Sequence, residues 1–189
     1  MEFDSAIALD DLDQLKYLVD GCDINMDIGK GNTLLHRACE YNRYNIVLFL
    51  LQNGANPNIK DNECFRTPLH LASMYATQQI CELLMVNGAD INDKAGGDMT
   101  PLMNAANRGD VSLVEYFLEN GAHINDVTVQ GYTALFWATV NNKPETVEIL
   151  LKNGANKYII DQMTQRTPKE WAQEREYENI ICMFDEIDI

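Results

Sequence analysis

Residues 67–92 read TPLHLASMYATQQICELLMVNGADIN, and the order of residue types in this stretch predicts a pair of helices. Thr67 can satisfy a free backbone N–H at a helix start, and Pro68 in the first helical position has no N–H to lose. About ten residues on, where other parts of the chain carry a polar turn such as Asn42-Arg43 or Arg108-Gly109, a second run begins, whose buried stripe includes Cys81. Asn87-Gly88 then closes the second helix, because Gly adopts left-handed backbone without steric penalty. The same grammar returns along the chain. Gly21, Gly54, Gly88, Gly121 and Gly154 are separated by 33, 34, 33 and 33 residues, and Thr33, Thr67, Thr100, Thr133 and Thr167 by 34, 33, 33 and 34. Two markers in one register mean stacked helical units rather than one globular core, which places function on a surface instead of in a pocket.

The preceding unit, TLLHRACEYNRYNIVLFLLQNGANPN at 33–58, carries the same series, with Ile46, Val47, Leu50 and Leu51 as its second apolar stripe. Thr-Pro-Leu-His followed by Ala, an apolar Leu-Leu stretch and Asn-Gly-Ala-Asp-x-Asn make the chain resemble the ankyrin repeat family over essentially its whole length. The resemblance implies an all-α solenoid of stacked helix-turn-helix units joined by β-hairpin or extended loops. Six repeats fit the register, at about 1–29, 30–63, 64–97, 98–130, 131–164 and 165–189, within a single domain. The loops from Asn58 to Thr67 and from Tyr158 to Thr167 are one residue longer than the others, which marks Asn62–Arg66 as a specificity loop. The apolar Tyr158-Ile159-Ile160 stretch is expected to dock on the final repeat.

Of the net charge of −15, residues 1–27 contribute −7 and residues 170–189 contribute −6. Acidity concentrated at the two ends reads as capping of flanks that internal repeats bury. It also disfavours nucleic acid, which needs clustered Lys and Arg. Charged caps lead us to expect a monomer. The acidic N-terminus shows no secretory-signal pattern, and no apolar run reaches the roughly 20 residues that span a bilayer. A cytoplasmic or nuclear location without membrane insertion is therefore expected. Five cysteines, an odd number, argue for reduced thiols, with Cys64 and Cys182 the exposed ones.

Nothing in the sequence argues for catalysis, a metal or a cofactor. His36 and His70 share a motif position held elsewhere by Met103, Phe136 and Glu170, so it reports packing or a local hydrogen bond. The family resemblance implies a bond from this His to neighbouring backbone across the repeat. His36 with Cys39 gives two metal ligands where a structural zinc needs four. His70 and Ser73 have contact spacing, but no oriented acid accompanies them. Gly29-Lys30-Gly31 lacks phosphate-loop spacing.

Binding remains. By resemblance, the hairpin tips and exposed sides of the first helices line one concave face that takes a partner protein. The expected contact residues are Arg37, Tyr41, Phe65, Arg66, Leu71, Met74, Tyr75, Met99, Asn104, Arg108, Tyr132 and Trp137. Among these Leu71, Met74, Tyr75, Met99, Tyr132 and Trp137 are large and apolar where the pattern faces water, the mark of an interaction patch. The function expected is a non-enzymatic interaction module, a scaffold or adaptor. The alternatives are an inhibitory subunit that blocks an enzyme or transcription factor, or a pathogen effector engaging a host protein. The resemblance also makes Asn92, preceded by Leu84 and Asp90-Ile91, a hydroxylation candidate.

Overall fold

A computed structural model describes residues 2–187; Met1, Asp188 and Ile189, at the outer ends of the first and last expected repeats, lie outside the described residues. The chain forms two compact units, one up to Gly96 and one from Gly97. In the first, α1 (Glu2–Ala8) pairs with α2 (Leu12–Leu18), α3 (Leu34–Glu40) with α4 (Tyr44–Gln52), and α5 (Pro68–Tyr75) with α6 (Gln78–Val86). In the second, α7 (Pro101–Arg108) pairs with α8 (Val111–Glu119), α9 (Ala134–Val140) with α10 (Pro144–Lys152), and α11 (Pro168–Glu174) with α12 (Glu178–Glu186). Helices of this length do not hold in water alone, so packing must hold them. Within each unit, first helices lie beside first helices and second beside second. Ile46, Val47, Leu50, Ile80, Cys81 and Leu84 are buried in the first unit, and Leu113, Val114, Phe117, Val147, Leu150 and Ile180 in the second. Each such aliphatic or aromatic side chain contributes about 1.5–3 kcal/mol relative to exposure.

The second helices end as their Asn-Gly signals predict. Ala55 N–H donates to the Leu50 carbonyl at 3.0 Å and Gly54 N–H to Leu51 at 3.1 Å, the paired bonds of a Schellman close. The bond recurs at 3.0 Å from Ala89 to Leu84, Ala122 to Phe117 and Ala155 to Leu150. First helices close the same way around Asn42 and Asn142, whose φ values of 56° and 52° put a residue type tolerant of that region where Gly109 sits in α7.

The loops are not β-hairpins: among the described residues there is no strand. The long loops are closed by a bond from Asp61 N–H to Arg66 O at 2.9 Å and from Asp161 N–H to Arg166 O at 3.0 Å, the second joined by a turn bond from Gln165 N–H to Asp161 O at 3.1 Å, too few for a ladder. Successive loops are joined singly as well, by Asn62 N–H to Lys30 O and Gln162 N–H to Gln130 O, both at 2.8 Å. Gly131 stands at one such junction with φ 82°, where an added Cβ would lie 2.8 Å from the Ile160 oxygen. Gly154 has a similar φ of 84° and open space. Gly131→Ala should therefore cost about 2 kcal/mol or more and Gly154→Ala about 1 kcal/mol; equal destabilisation in urea titrations would show the junction to be pliable.

Candidate functional site

The Thr markers cap the first helices as expected, and the motif His completes the cap. Thr33 N–H donates to His36 Nδ1 at 3.1 Å, and His36 Nε2 reaches the Arg66 carbonyl at 3.0 Å in the next loop. A neutral ring carrying its hydrogen on Nε2 satisfies both bonds. At His70 the same Thr contact recurs, with Thr67 N–H 3.2 Å from Nδ1. In the last pair Glu170 replaces His, its carboxylate accepting from Thr167 N–H at 2.8 Å, an ordinary capping box. Burial pushes the His36 imidazole below its ordinary 6.5, against the Arg66 carbonyl, which raises it. With the folded value below the unfolded one, its contribution is present above about pH 6.5 and is lost as pH falls through the folded value. Thermal melts of the chain and of His36→Gln should thus converge on acidification; a constant difference would exclude His36 as the titrating group.

Two residues that organise the loops carry no motif signal of their own. Asp61, fully enclosed, accepts from Glu63 N–H at 3.1 Å, Cys64 N–H at 2.7 Å and Arg66 Nε at 2.7 Å. Burial would raise its pKa, but these donors, Cys64 N–H and Arg66 foremost, hold it below the ordinary carboxylate value. Asp161 accepts from Met163 N–H at 2.9 Å, Thr164 N–H at 2.6 Å, the Thr164 hydroxyl and Trp171 Nε1 at 3.0 Å. The signal was present as the shared spelling of the two longer loops, DNECFRTP from 61 and DQMTQRTP from 161. In the shorter loop at 125–133 the Thr128 hydroxyl takes this role, accepting from Tyr132 N–H at 3.1 Å. The motif-end asparagines bridge neighbouring repeats rather than their own turns: Asn25 Nδ2 donates to Gly54 O at 3.2 Å and its Oδ1 accepts from Asn56 N–H at 2.8 Å. Asn92 is half-buried, with its N–H on Asp90 Oδ1 at 2.9 Å.

In the first unit the expected contact residues divide. Tyr41, Phe65 and Tyr75 stand in water at 41%, 58% and 50% exposure, and Met74 is half-buried. Phe65 is held out on a loop tip with φ 54°, a conformation that bulky residues rarely adopt. Arg37 lies 3.3 Å from Asp4 and 2.6 Å from Glu40, and Arg66 is bound to Asp61, so both guanidiniums are neutralised within the chain. Leu71 is not a surface residue. It is 1% exposed, because every residue of α5 from Pro68 to Ser73 is buried and leaves that position no side toward water.

The second unit departs from expectation at Asn104, which is 6% exposed within the wholly buried stretch Pro101–Ala106 of α7. Arg108 is exposed and paired with Asp110, and Met99 is half-buried. Tyr132 and Trp137 are half-buried because they pack on one another: Tyr132 stacks on Phe136 at 4.3 Å and meets Trp137 edge-on at 5.4 Å. Phe136 in turn meets Trp171 at 5.8 Å. The Tyr158 stretch does not dock as expected. Tyr158 and Ile160 are exposed, and the tie to the last helix is Lys157 Nζ, bonded to the carbonyls of Phe184 at 3.0 Å and Ile187 at 2.9 Å.

Cys39 and Cys81 are buried free thiols, whereas Cys64 and Cys182 are exposed as expected and Cys22 is exposed as well. Burial, with Cys81 nearby, pushes the Cys39 thiol well up, away from reactivity. Ser73 Oγ donates to the His70 carbonyl at 2.8 Å. Among the described residues no group of three or more His, Cys, Asp or Glu could hold a metal ion, and no helix is long and apolar enough to cross a membrane.

A family model for ankyrin repeats (3 copies) matches residues 5–95 and again 69–161. Among curated relatives, the glycerophosphocholine phosphodiesterase of Schizosaccharomyces pombe is 38% identical over 78 residues, 41% of this chain and 7% of that protein. Ankyrin repeat and SOCS box protein 16 of Homo sapiens is 38% identical over 90 residues, 47% of this chain and 19% of its own length. A putative ankyrin repeat protein of Rickettsia bellii is 33% identical over 114 residues, 54% of this chain and 32% of that one. The matches thus cover less than a third of each relative's length.

Proposed function

Because this chain belongs to the ankyrin repeat family, we propose that it is a non-enzymatic adaptor that binds a partner protein through its first helices and loop tips. The family's repeats generally mediate protein–protein interaction. What supports the reading here is the trio Tyr41, Phe65 and Tyr75, large aromatic side chains left in water on the first unit. Exposed aromatics are over-represented among the residues that dominate binding energy. The helix pairs are read as six repeats, and the molecule as a cytoplasmic or nuclear monomer that takes no nucleic acid.

The test compares capture by the chain with capture by Phe65→Gly and Tyr75→Ala. Phe65→Gly relieves the left-handed strain while loosening the unfolded chain, so its stability should stay within about 1 kcal/mol of the parent. A protein retained by the parent and lost from the variants, with unchanged circular dichroism, is the partner. Capture indifferent to both substitutions would remove the proposed surface. If the captured protein is an enzyme whose activity falls on binding, the inhibitory alternative takes over. Asn92 is kept as a hydroxylation candidate, tested by a one-oxygen mass increase on its peptide after expression with a suitable oxygenase.

A further inference from the structure

Resting on that reading of the first-helix surface, we propose that the second unit's share of it docks an acidic peptide segment, whose carboxylate is read by Arg175. The residues that close the first helices hold one register position, and their chemistry changes between units. In the first unit they are Tyr41 and Tyr75; in the second, Arg108, Asn141 and Arg175. Arg108 is taken by Asp110, and Asn141 Nδ2 by Asn107 Oδ1 at 2.7 Å. Arg175 is exposed, and no carboxylate of the described residues lies within ion-pair distance of it.

That free guanidinium is nonetheless held in place. It lies 5.8 Å from the Trp171 ring centroid, with Arg166 at 5.7 Å from the same ring. Arg166 is neutralised by Glu174, so the charge left unmatched is that of Arg175. Trp171 is fixed in turn by its bond to Asp161 Oδ2 at 3.0 Å and its edge contact with Phe136. An arginine ordered by an aromatic ring loses less freedom on binding than one that moves freely in water. Beside it runs α9, which carries no charged residue and contributes the half-buried Trp137 ring, whose indole nitrogen faces inward, away from water.

The groups this surface leaves unmet are therefore a donor, the exposed Arg175 guanidinium, and the aromatic rings beside it. Their complement is a segment offering a carboxylate next to an apolar side chain. A basic segment would find Arg175 repelling it, and a neutral one would leave it unpaired. Charges more than about 8–10 Å away are largely screened at physiological salt, and Glu174 and Glu170 are bound by Arg166 and Thr167; the exposed Glu176 and Glu178 near Arg175 oppose an acidic segment, a cost that the Arg175 contact has to exceed.

The experiment is selection of a displayed random peptide library on the immobilised full chain, followed by titration of the best synthetic peptide. The expected result is enrichment of Asp or Glu beside aliphatic or aromatic residues. Affinity should fall about tenfold in Arg175→Gln, less in Arg175→Lys, and fall on addition of salt. Circular dichroism of each variant controls for folding. Neutral or basic winners, or an affinity unchanged in Arg175→Gln, would overturn the acidic assignment. If Trp137→Ala still weakened such peptides, the first-helix surface itself would stand. No enrichment, or enrichment indifferent to both residues, would overturn the two together.

Discussion

Asp161→Ala is expected to lower the stability of the second unit by about 3 kcal/mol, the largest single effect on folding we anticipate. The carboxylate is 0% exposed and gathers the backbone amides of Met163, Thr164 and Arg166, a hydroxyl and the Trp171 indole around one point. Bonds to a charged acceptor contribute about 1.5–3 kcal/mol each, but Met163 and Thr164 are exposed and their amides can turn to water, which limits the total. Burial alone would raise this acid's pKa, and the Thr164, Trp171 and Arg166 donors outweigh it, so its folded value lies well below the ordinary 3.8. A depressed folded pKa means the contribution is complete above about pH 4 and disappears as pH falls through the folded value. Asp161→Asn lacks that titration, so its deficit should shrink in acid. Because repeats contact only neighbours, faster hydrogen exchange should be confined to the region around residues 158–187. Acceleration equal at α3–α6, or a stability decrease under about 1 kcal/mol, would show that the loop tolerates removal of its organiser.

The largest effect on binding is expected from Trp137→Ala combined with Tyr132→Ala, about 3 kcal/mol or more than 100-fold in partner affinity. The two rings meet edge-on, and Tyr132 also stacks on Phe136. The pair is thus part binding surface and part packing, and the double substitution should cost some stability as well, about 0.5–1.5 kcal/mol for each aromatic pairing it abolishes. Helical circular dichroism should survive at room temperature, with the destabilisation showing in the melting temperature. Trp137→Ala alone spares the Tyr132–Phe136 stack and is the cleaner probe. A partner bound equally well by the parent and by both variants would confine recognition to the first unit.

The helix pairs and their ends were legible because they depend on residues within a few positions of one another. Thr before Pro starts a helix, Asn-Gly closes one, and His36 or Glu170 reaches back three residues to its Thr whatever surrounds it. The exposed aromatics on loop tips and helix ends, Phe65 and Tyr75, could also be read from register. Leu71 and Tyr75 show the boundary of that reading: they lie on the same helix, yet one is sealed and the other half in water. The polar spacers left hairpin and extended loops both open, and the described residues take the second form, with a buried aspartate organising each of the two longer loops.

The repeat, its helix boundaries and the family are readable along the chain, since a period of 33 or 34 residues and local capping chemistry need no tertiary information. Packing alone reveals which arginines are engaged by Asp4, Asp61, Asp110 and Glu174, that Arg43 instead meets the backbone carbonyls of Ile7 and Ala8, and that no carboxylate of the described residues pairs with Arg175. Burial and ion pairing are set by what packing brings alongside each side chain. Packing places Asp4 against Arg37 and Phe136 against Trp171, neighbours that the repeat spacing alone does not specify.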